Sequence, residues 1–152
     1  MKIRTATNLD GEAIQSLIDP ILRSYGLSLS PEETDADLCN IEEHYQNNRG
    51  RFDVLVDDRD QILGTVAIHQ TSADLCELRK MYLDASLRGK GWGRKLLHRA
   101  FAISRKLGYK KIWLETAHNL TEAQSLYQQN GFEPFAGPHC SHRCDFALAR
   151  KL

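Results

Sequence analysis

The sequence predicts a mixed α+β fold of the α/β class, in one domain spanning residues 1–152, and three observations support this. A length of 152 residues suits one hydrophobic core and leaves no room for a second. Some segments carry apolar residues at helical spacing, whereas others alternate apolar and polar residues as strands do. No repeat or low-complexity tract divides the chain. Two helices, an antiparallel strand series and then strand, helix, strand, helix and strands are therefore expected.

The N-terminal third is predicted to form a strand and two helices. Residues 2–7 suit a short strand, and Asn8 and Asp10 supply oxygens that cap a following helix. One face of that helix is apolar: Ala13, Ile14, Leu17, Ile18 and Ile21. We expect Pro20 to bend or end it. A second helix, ending at Arg49-Gly50, is predicted to carry three core residues: Leu38, Ile41 and Tyr45.

A hairpin and a third long strand are predicted next. Phe52, Val54 and Val56 are apolar at every second position, residues 57–60 form a polar turn, and residues 62–68 form the return strand. The third strand covers residues 75–83. Regular alternation along it places Leu78 and Tyr82 on one face. The same alternation places four residues on the other face: Glu77, Arg79, Met81 and Leu83.

The C-terminal half is predicted to begin with an amphipathic helix that ends at Gly108. Four further elements follow: a strand at 111–116, a helix at 121–129, and strands near 132–135 and 145–149. Gly131 is expected to end the shorter helix.

Charge and hydropathy exclude several classes of partner. Twenty basic and twenty acidic residues cancel, so the chain has no bulk attraction for nucleic acid or for an anionic membrane surface. No apolar run approaches the roughly 18 residues that span a bilayer. The N-terminal segment lacks the apolar core of a signal peptide. We therefore expect a soluble cytoplasmic protein that binds neither nucleic acid nor membranes.

A glycine-rich segment joins the third strand to the long helix and indicates an anion site. Residues 88–93 read RGKGWG, with glycine at alternate positions. Glycine permits positive φ and leaves the backbone amides accessible, and the helix N-terminus attracts phosphate or pyrophosphate. Arg88, Lys90 and Arg94 add positive charge. The spacing fits neither the Walker loop nor the dinucleotide fingerprint, whose third glycine comes one residue later.

Three segments of the chain resemble the GNAT superfamily of acetyl-CoA-dependent N-acetyltransferases. The RGKGWG segment matches the family signature Q/R-x-x-G-x-G/A. Residues 77–83, ELRKMYL, are similar to the family's fourth strand. Residues 119–132 resemble its N-x-x-x-A-x-x-L-Y-x-x-x-G-F stretch. Their order and spacing agree with the family over roughly residues 52–135.

The resemblance implies a GNAT fold: a central, mostly antiparallel sheet with splayed fourth and fifth strands, flanked by four helices. It also implies acetyl-CoA as co-substrate. The strand residues Met81, Tyr82 and Leu83 would then pair with the pantetheine arm. The pyrophosphate would lie on seven consecutive residues: Arg88, Gly89, Lys90, Gly91, Trp92, Gly93 and Arg94. Asn119 would lie near the pantetheine and Tyr127 near the thiol.

The resemblance also implies direct attack of a neutral amine on the acetyl group in a ternary complex, which needs a base, an acid and oxyanion donors. Backbone amides near Met81 or Leu83 suit the oxyanion, and Tyr127 is the expected acid. Glu77 is the first candidate for the base, with Glu115, His118 and a water-mediated route as alternatives.

The acceptor is expected to be a small or amino-acid-like primary amine. Tyr25, Glu115 and His142 are candidates for its pocket. Arg79 shares the predicted face of Glu77, where it either binds an acceptor carboxylate or pairs with Glu77 itself. The splayed fourth and fifth strands would leave a slot between them. Because Arg79 and Lys80 are adjacent, we expect only one of them to face this slot.

No metal is expected. The segment His139–Cys144 contains two histidines and two cysteines, but they are too close together for one loop to form a tetrahedral site, and no second ligand pair is present.

Two other functions stay open: a protein or peptide N-acetyltransferase, and a catalytically silent acyl-CoA-binding sensor. The presence of Tyr127 and Glu77 favours an enzyme. Domains of this family often form homodimers, and the sequence does not decide whether this one does.

Overall fold

A seven-stranded sheet runs through the protein, whose computed structural model describes residues 1–138 and 143–152. The strands are β1 (Lys2–Thr5), β2 (Arg51–Val56), β3 (Ile62–Gln70), β4 (Leu75–Leu83), β5 (Lys111–Thr116), β6 (Glu133–Phe135) and β7 (Phe146–Lys151). They lie in the order β1-β2-β3-β4-β5-β7-β6. Every junction is antiparallel except β4–β5, which is parallel. The predicted mostly antiparallel sheet is confirmed.

Four α-helices flank the sheet in the described part of the chain. They are α1 (Gly11–Ser24), α2 (Ile41–His44), α3 (Trp92–Lys106) and α4 (Thr121–Gln129). Pro20 does not end α1, which continues to Ser24 with Ile14, Ile18 and Leu22 buried. Packing of this apolar face outweighs the single backbone hydrogen bond that proline removes. Among the described helices, none has both the length and the apolar composition needed to cross a membrane.

The predicted second helix is divided into three short segments. A 3₁₀ turn at Ala36–Cys39 precedes α2, and another at Gln46–Asn48 follows it. The Asn40 side chain accepts a hydrogen bond from the Glu43 amide at 3.3 Å, so a new helix starts there instead of continuing from the first turn. The three predicted core residues are nevertheless buried: Leu38, Ile41 and Tyr45.

The sheet separates two hydrophobic clusters. The cluster on the α3 side contains Leu96, Leu97 and Phe101 of α3 together with Tyr127 of α4. The cluster on the α1 side contains core residues of α1, α2 and β2: Ile14, Ile18, Ile41, Phe52 and Val54. β2 alternates between them, as the sequence pattern predicts, whereas β3 alternates only from Gly64 onward, because the register shifts between Leu55 and Val56 of β2.

A β-bulge interrupts this alternation in β4. Ala67 of β3 pairs with Arg79, and Thr65 pairs with Tyr82, so two steps along β3 match three steps along β4. Lys80 has a φ of 49°, in the left-handed region. One extra residue in a strand turns every following side chain to the opposite face from the one that regular alternation gives.

The bulge corrects the predicted faces of β4. Leu78 belongs to the α3-side cluster, whereas Tyr82 packs against the α1-side cluster, so the prediction that they share a face is wrong. Met81 and Leu83, predicted to lie opposite Leu78, pack on its side. A left-handed lysine leaves no pattern in the sequence, which is why regular alternation misplaced these residues.

β4 and β5 pair over three residues only. The partners are Leu75 with Lys111, Cys76 with Ile112 and Glu77 with Trp113. Beyond this point β4 continues for six residues to Leu83, and β5 for three to Thr116, without further pairing. The two strands therefore diverge and leave a slot between them, which confirms the predicted splayed strands.

Candidate active site

The slot between β4 and β5 belongs to a cavity of about 960 Å³, a volume typical of small-molecule sites. Its walls come from the second half of β4, the end of β5, the start of α3, one face of α4 and the end of α1. The sequence-predicted site residues that line it are Tyr25, Glu77, Arg79, Met81, Tyr82, Leu83, Arg88, Gly89, Gly91, Gly93, Arg94, Glu115 and Tyr127. The fold thus brings together residues that are far apart in the sequence.

The glycine-rich segment forms the turn that leads into α3. Gly89 and Gly91 have φ values of 70° and 83°, in the region that favours glycine. Gly93 lies inside the first turn of α3, where a Cβ would come within 3.5 Å of Leu126 on α4. The first two glycines therefore serve the turn, whereas a side chain at the third would make only an ordinary van der Waals contact with α4.

The start of α3 has the properties of an anion site. The helix begins at Trp92, so its first amides have no partner within the helix. Arg88 and Arg94 are exposed at the cavity, and neither forms an ion pair with a described residue. A Cβ added at Gly89 or Gly91 would meet no heavy atom within 4 Å. The backbone here is open to a ligand and surrounded by positive charge.

Glu77 lies at the fork of the two strands. Its side chain is 12% exposed and accepts a hydrogen bond from Arg79 Nε at 2.6 Å, so the expected Glu77–Arg79 ion pair is confirmed. Burial raises the pKa of Glu77, and the negative charge of Glu115 raises it further, whereas the positive charge of Arg79 opposes both effects. The result is a carboxyl whose pKa is above its usual range, inside a cavity.

Tyr127 lies on the other side of the slot, on α4. It is 8% exposed, and its ring packs edge-on against Phe132 with centroids 5.5 Å apart. Burial raises its pKa well above the usual value, with smaller contributions from Tyr82 and Cys144. The phenol is therefore protonated throughout the physiological pH range.

A buried charge network, which sequence reasoning missed, forms one wall of the cavity. Oδ1 of Asp35 accepts hydrogen bonds from Lys80 Nζ at 2.6 Å and from Arg143 Nη2 at 2.9 Å. Lys80 Nζ is also 3.3 Å from Oδ1 of Asp37, whose other oxygen accepts a hydrogen bond from Tyr45. Burial opposes ionisation of Asp35, but Arg143 and Lys80 together hold its pKa below the usual value.

The same network corrects the expectation that only one of Arg79 and Lys80 faces the slot. Both line the cavity, and the negative charge of Asp37 acts on both. The bulge is the physical reason, because the left-handed backbone at Lys80 breaks the alternation that would separate neighbouring side chains.

His69 is another lining residue that sequence reasoning missed. It lies on β3 opposite Glu77, and its ring packs edge-on against Tyr45 at 5.8 Å. Burial and the charge of Arg79 lower its pKa to about 4, so it is neutral at physiological pH. The polar pair His69-Gln70 at the end of an apolar strand was the available signal, but the predicted strand stopped at Ile68.

Other predicted site residues do not line the cavity. Lys90 and Asn119 are exposed, and Trp92 packs under the Lys95 ammonium at 4.0 Å. His118 is also exposed and lies against the Phe146 ring at 4.8 Å. His142 lies outside the described residues. Within residues 1–138 and 143–152, no three His, Cys, Asp or Glu side chains are grouped to hold a metal ion.

A comparison with protein families decides between the classes of enzyme that such a cavity could serve. The sequence model of the Acetyltransferase (GNAT) family matches residues 14–132. The chain belongs to the GNAT acetyltransferase family. The match includes most of α1, the two splayed strands, the glycine-rich turn and α4. The resemblance seen in the sequence is thereby confirmed.

Relatives and solved structures agree with the GNAT assignment. An uncharacterized N-acetyltransferase of Escherichia coli, YjgM, is 35% identical over 136 residues, covering 86% of this chain and 81% of that protein. A GNAT-family acetyltransferase structure from Staphylococcus aureus Mu50 has a TM-score of 0.91 at 22% identity, covering 99% of this chain and 98% of that one.

A phosphinothricin acetyltransferase from Sinorhizobium meliloti, solved in complex with AcCoA, has a TM-score of 0.75 at 19% identity, covering 99% of this chain and 88% of that one. Together with the GNAT structure from Staphylococcus aureus, it confirms the predicted fold. Because relatives of this GNAT chain are named N-acetyltransferases, the predicted enzyme class, an acyltransferase, is confirmed as well.

Proposed function

We propose that residues 1–152 act as one domain that transfers the acetyl group of acetyl-CoA to a primary amine of a small, amino-acid-like molecule in a ternary complex. One observation carries the proposal: a single cavity joins the open glycine-rich turn of α3 to the fork at Glu77. An anionic donor and an amine acceptor can therefore meet in it.

Acetyl-CoA is the donor that fits the turn best. Its pyrophosphate would lie on the open backbone around Gly89 and Gly91, beside Arg88 and Arg94. Its amide-containing pantetheine arm would follow the unpaired side of β4 at Met81–Leu83. The complex of the phosphinothricin acetyltransferase with AcCoA supports this choice. Lys90, Trp92 and Asn119 stay predictions, since they lie outside the cavity lining.

Glu77 is our candidate for the general base. An amine must lose a proton before it attacks, and a base is most effective when its pKa approaches the working pH. Burial raises the pKa of Glu77 in this direction. Glu115 also lines the cavity and is the second candidate, whereas the exposed position of His118 outside the lining argues against it.

Tyr127 is our candidate for the acid that protonates the departing thiolate. A phenol with a raised pKa carries its proton at physiological pH, so the proton is in place when the thiolate departs. The burial that raises the pKa also disfavours a negative charge on the departing sulfur, which offsets the weaker acidity of the phenol. It lines the same cavity as the fork, which agrees with this role.

The acceptor is expected to enter between the end of α1, at Tyr25, and the buried charge network at Lys80 of β4. Arg79 pairs with Glu77 through its Nε atom, so the alternative that Arg79 binds an acceptor carboxylate loses support. The cavity of about 960 Å³ has to hold part of acetyl-CoA as well as the acceptor, which favours a small amine.

Thiol release tests the proposal directly. The purified protein is incubated with acetyl-CoA and a panel of small amines, amino acids and lysine-containing peptides, and free CoA is followed with a thiol reagent. Amine-dependent release of CoA, with a matching mass increase of the amine, is expected for small acceptors. Release with peptides alone would favour a protein acetyltransferase. Acetyl-CoA binding without turnover across the panel would favour the sensor.

A further inference from the structure

The Arg143 guanidinium is buried at the cavity with part of its hydrogen-bonding capacity unused. The side chain is 10% exposed and lines the cavity just before β7. Nη2 donates to Asp35 Oδ1 at 2.9 Å, whereas Nη1 is buried without a hydrogen-bond partner in the described residues. An unpaired donor on a buried cation is costly, so it marks a place where an acceptor atom is missing.

The surrounding charges hold this guanidinium in place without saturating it. Asp35 Oδ1 accepts from both Lys80 and Arg143, so a single carboxylate oxygen serves two cations. Asp37 lies 3.3 Å from Lys80 Nζ on the other side. The two carboxylates are therefore placed around Lys80, and Arg143 has one of them as a shared partner. A fixed cation with a free N–H group is prepared to bind an anion.

Arg143 lines the cavity in which we propose that acetyl transfer takes place. Tyr82 and Tyr127, our candidate acid, line it as well. Glu77 and Arg79 line the same cavity. An acceptor that reaches the reaction point with its amine would thus have a second, negatively charged group within reach of Arg143.

We infer that the acceptor is an amine that also carries a carboxylate, and that Arg143 is the specificity residue that binds this carboxylate. The inference rests on the proposed function and narrows it. The carboxylate pairs with the guanidinium where Arg143 lines the cavity, while Lys80 and Asp35 keep the guanidinium in position. Arg143 contributes binding of the acceptor and takes no proton in the reaction.

The test compares each of the twenty standard L-amino acids with its C-terminal amide, which retains the amine but lacks the negative charge. For the preferred amino acid, wild type should show a kcat/KM about tenfold to a hundredfold above that of the amide, as loss of a charged hydrogen bond implies. Arg143→Gln should remove this preference, mainly by raising KM for the acid, and leave the amide unchanged. Arg143→Lys should retain part of it.

Arg99→Gln is the matched control. Arg99 also binds a buried aspartate, with its Nε 2.8 Å from Asp53 Oδ2, but it does not line the cavity. This variant should keep the wild-type ratio of acid to amide. Acetyl-CoA affinity, measured by calorimetry, should be the same in both glutamine variants and in wild type, which also shows that they fold.

The outcomes separate the inference from the function on which it rests. Turnover of amines with equal kcat/KM for acids and amides would overturn the inference and leave the proposed function intact. An equal loss for acids and amides in Arg143→Gln would also overturn it, because that pattern belongs to an oxyanion donor. Absence of turnover with every amine would overturn both.

Discussion

Glu77 of β4 and Trp113 of β5 form the last residue pair between the two strands, so the candidate base lies where the sheet divides. Paired backbone on one side fixes its Cα, while the cavity begins immediately beyond it. A carboxylate at this point is both rigidly held and accessible to an acceptor, a combination that a base requires.

Replacing Glu77 by Gln should lower kcat/KM by about 10²–10⁴-fold at neutral pH, the usual contribution of a general base. In wild type, kcat/KM should fall as the pH drops through the raised pKa of Glu77, because the protonated carboxyl cannot accept a proton. The Gln variant should lack this acidic limb. Glu115→Gln is the control within the same cavity, and an unchanged acidic limb in Glu77→Gln would remove Glu77 from the role.

Replacing Tyr127 by Phe should reduce kcat by about a hundredfold or more and leave the KM for acetyl-CoA nearly unchanged, since the variant retains the ring and loses only the acid. The ring contact with Phe132 persists, so the melting temperature should change little. Steady-state kinetics and calorimetry with acetyl-CoA provide the two readouts. A kcat equal to that of wild type would assign the proton transfer to another donor.

Replacing Gly91 by Ala should weaken acetyl-CoA binding. At a φ of 83° an alanine strains the backbone by about 1–2 kcal/mol, and its relaxation would turn the amides away from the pyrophosphate. Gly26→Ala is the matched control, because Gly26 has a φ of 74° and similar open surroundings but lies after α1. Both variants should lose comparable stability. Calorimetry should show weaker acetyl-CoA binding in Gly91→Ala alone, and equal affinities would count against the pyrophosphate site.

Stability should fall as the pH drops from about 6.5 to 4, partly because of His69. Its pKa is about 4 in the folded protein against 6.5 for an ordinary histidine, so the unfolded chain binds the extra proton in this range. The loss of unfolding free energy caused by His69 is absent above pH 6.5 and reaches at most about 3 kcal/mol below it. His69→Asn should show a flatter dependence of the free energy of unfolding on pH in denaturant titrations. His98→Gln, an exposed change on α3, should retain the wild-type slope.

Local patterns were sufficient for most elements and for half of the site. The bounds of β4 and β5, the turn at residues 88–93 and the cavity position of Tyr127 all follow from periodicity, glycine spacing and family resemblance. Each of these signals is carried by residues close together in the sequence.

No local sequence pattern marked the buried charge network of Asp35, Lys80 and Arg143. Asp35 and Arg143 are 108 residues apart in the chain, and neither belongs to a motif. Asp35 also binds Lys80, which the bulge turns toward it, and a left-handed lysine resembles any other strand residue in sequence. Long-range ion pairs and bulges are tertiary features, so the acceptor side of the cavity could be described only from the structure.

The divergence of β4 from β5 also bears on solubility. A strand that lacks a neighbour on one side offers unpaired amides and carbonyls, which on a protein surface recruit other chains and lead to aggregation. In this protein the second half of β4 is such an edge, but it is partly buried and lines the cavity together with residues of β5, α3 and α4. A slender molecule with its own amide groups can reach it, whereas another folded chain cannot. The cavity thus keeps the unpaired edge of β4 available to a ligand and limits its contact with neighbouring proteins.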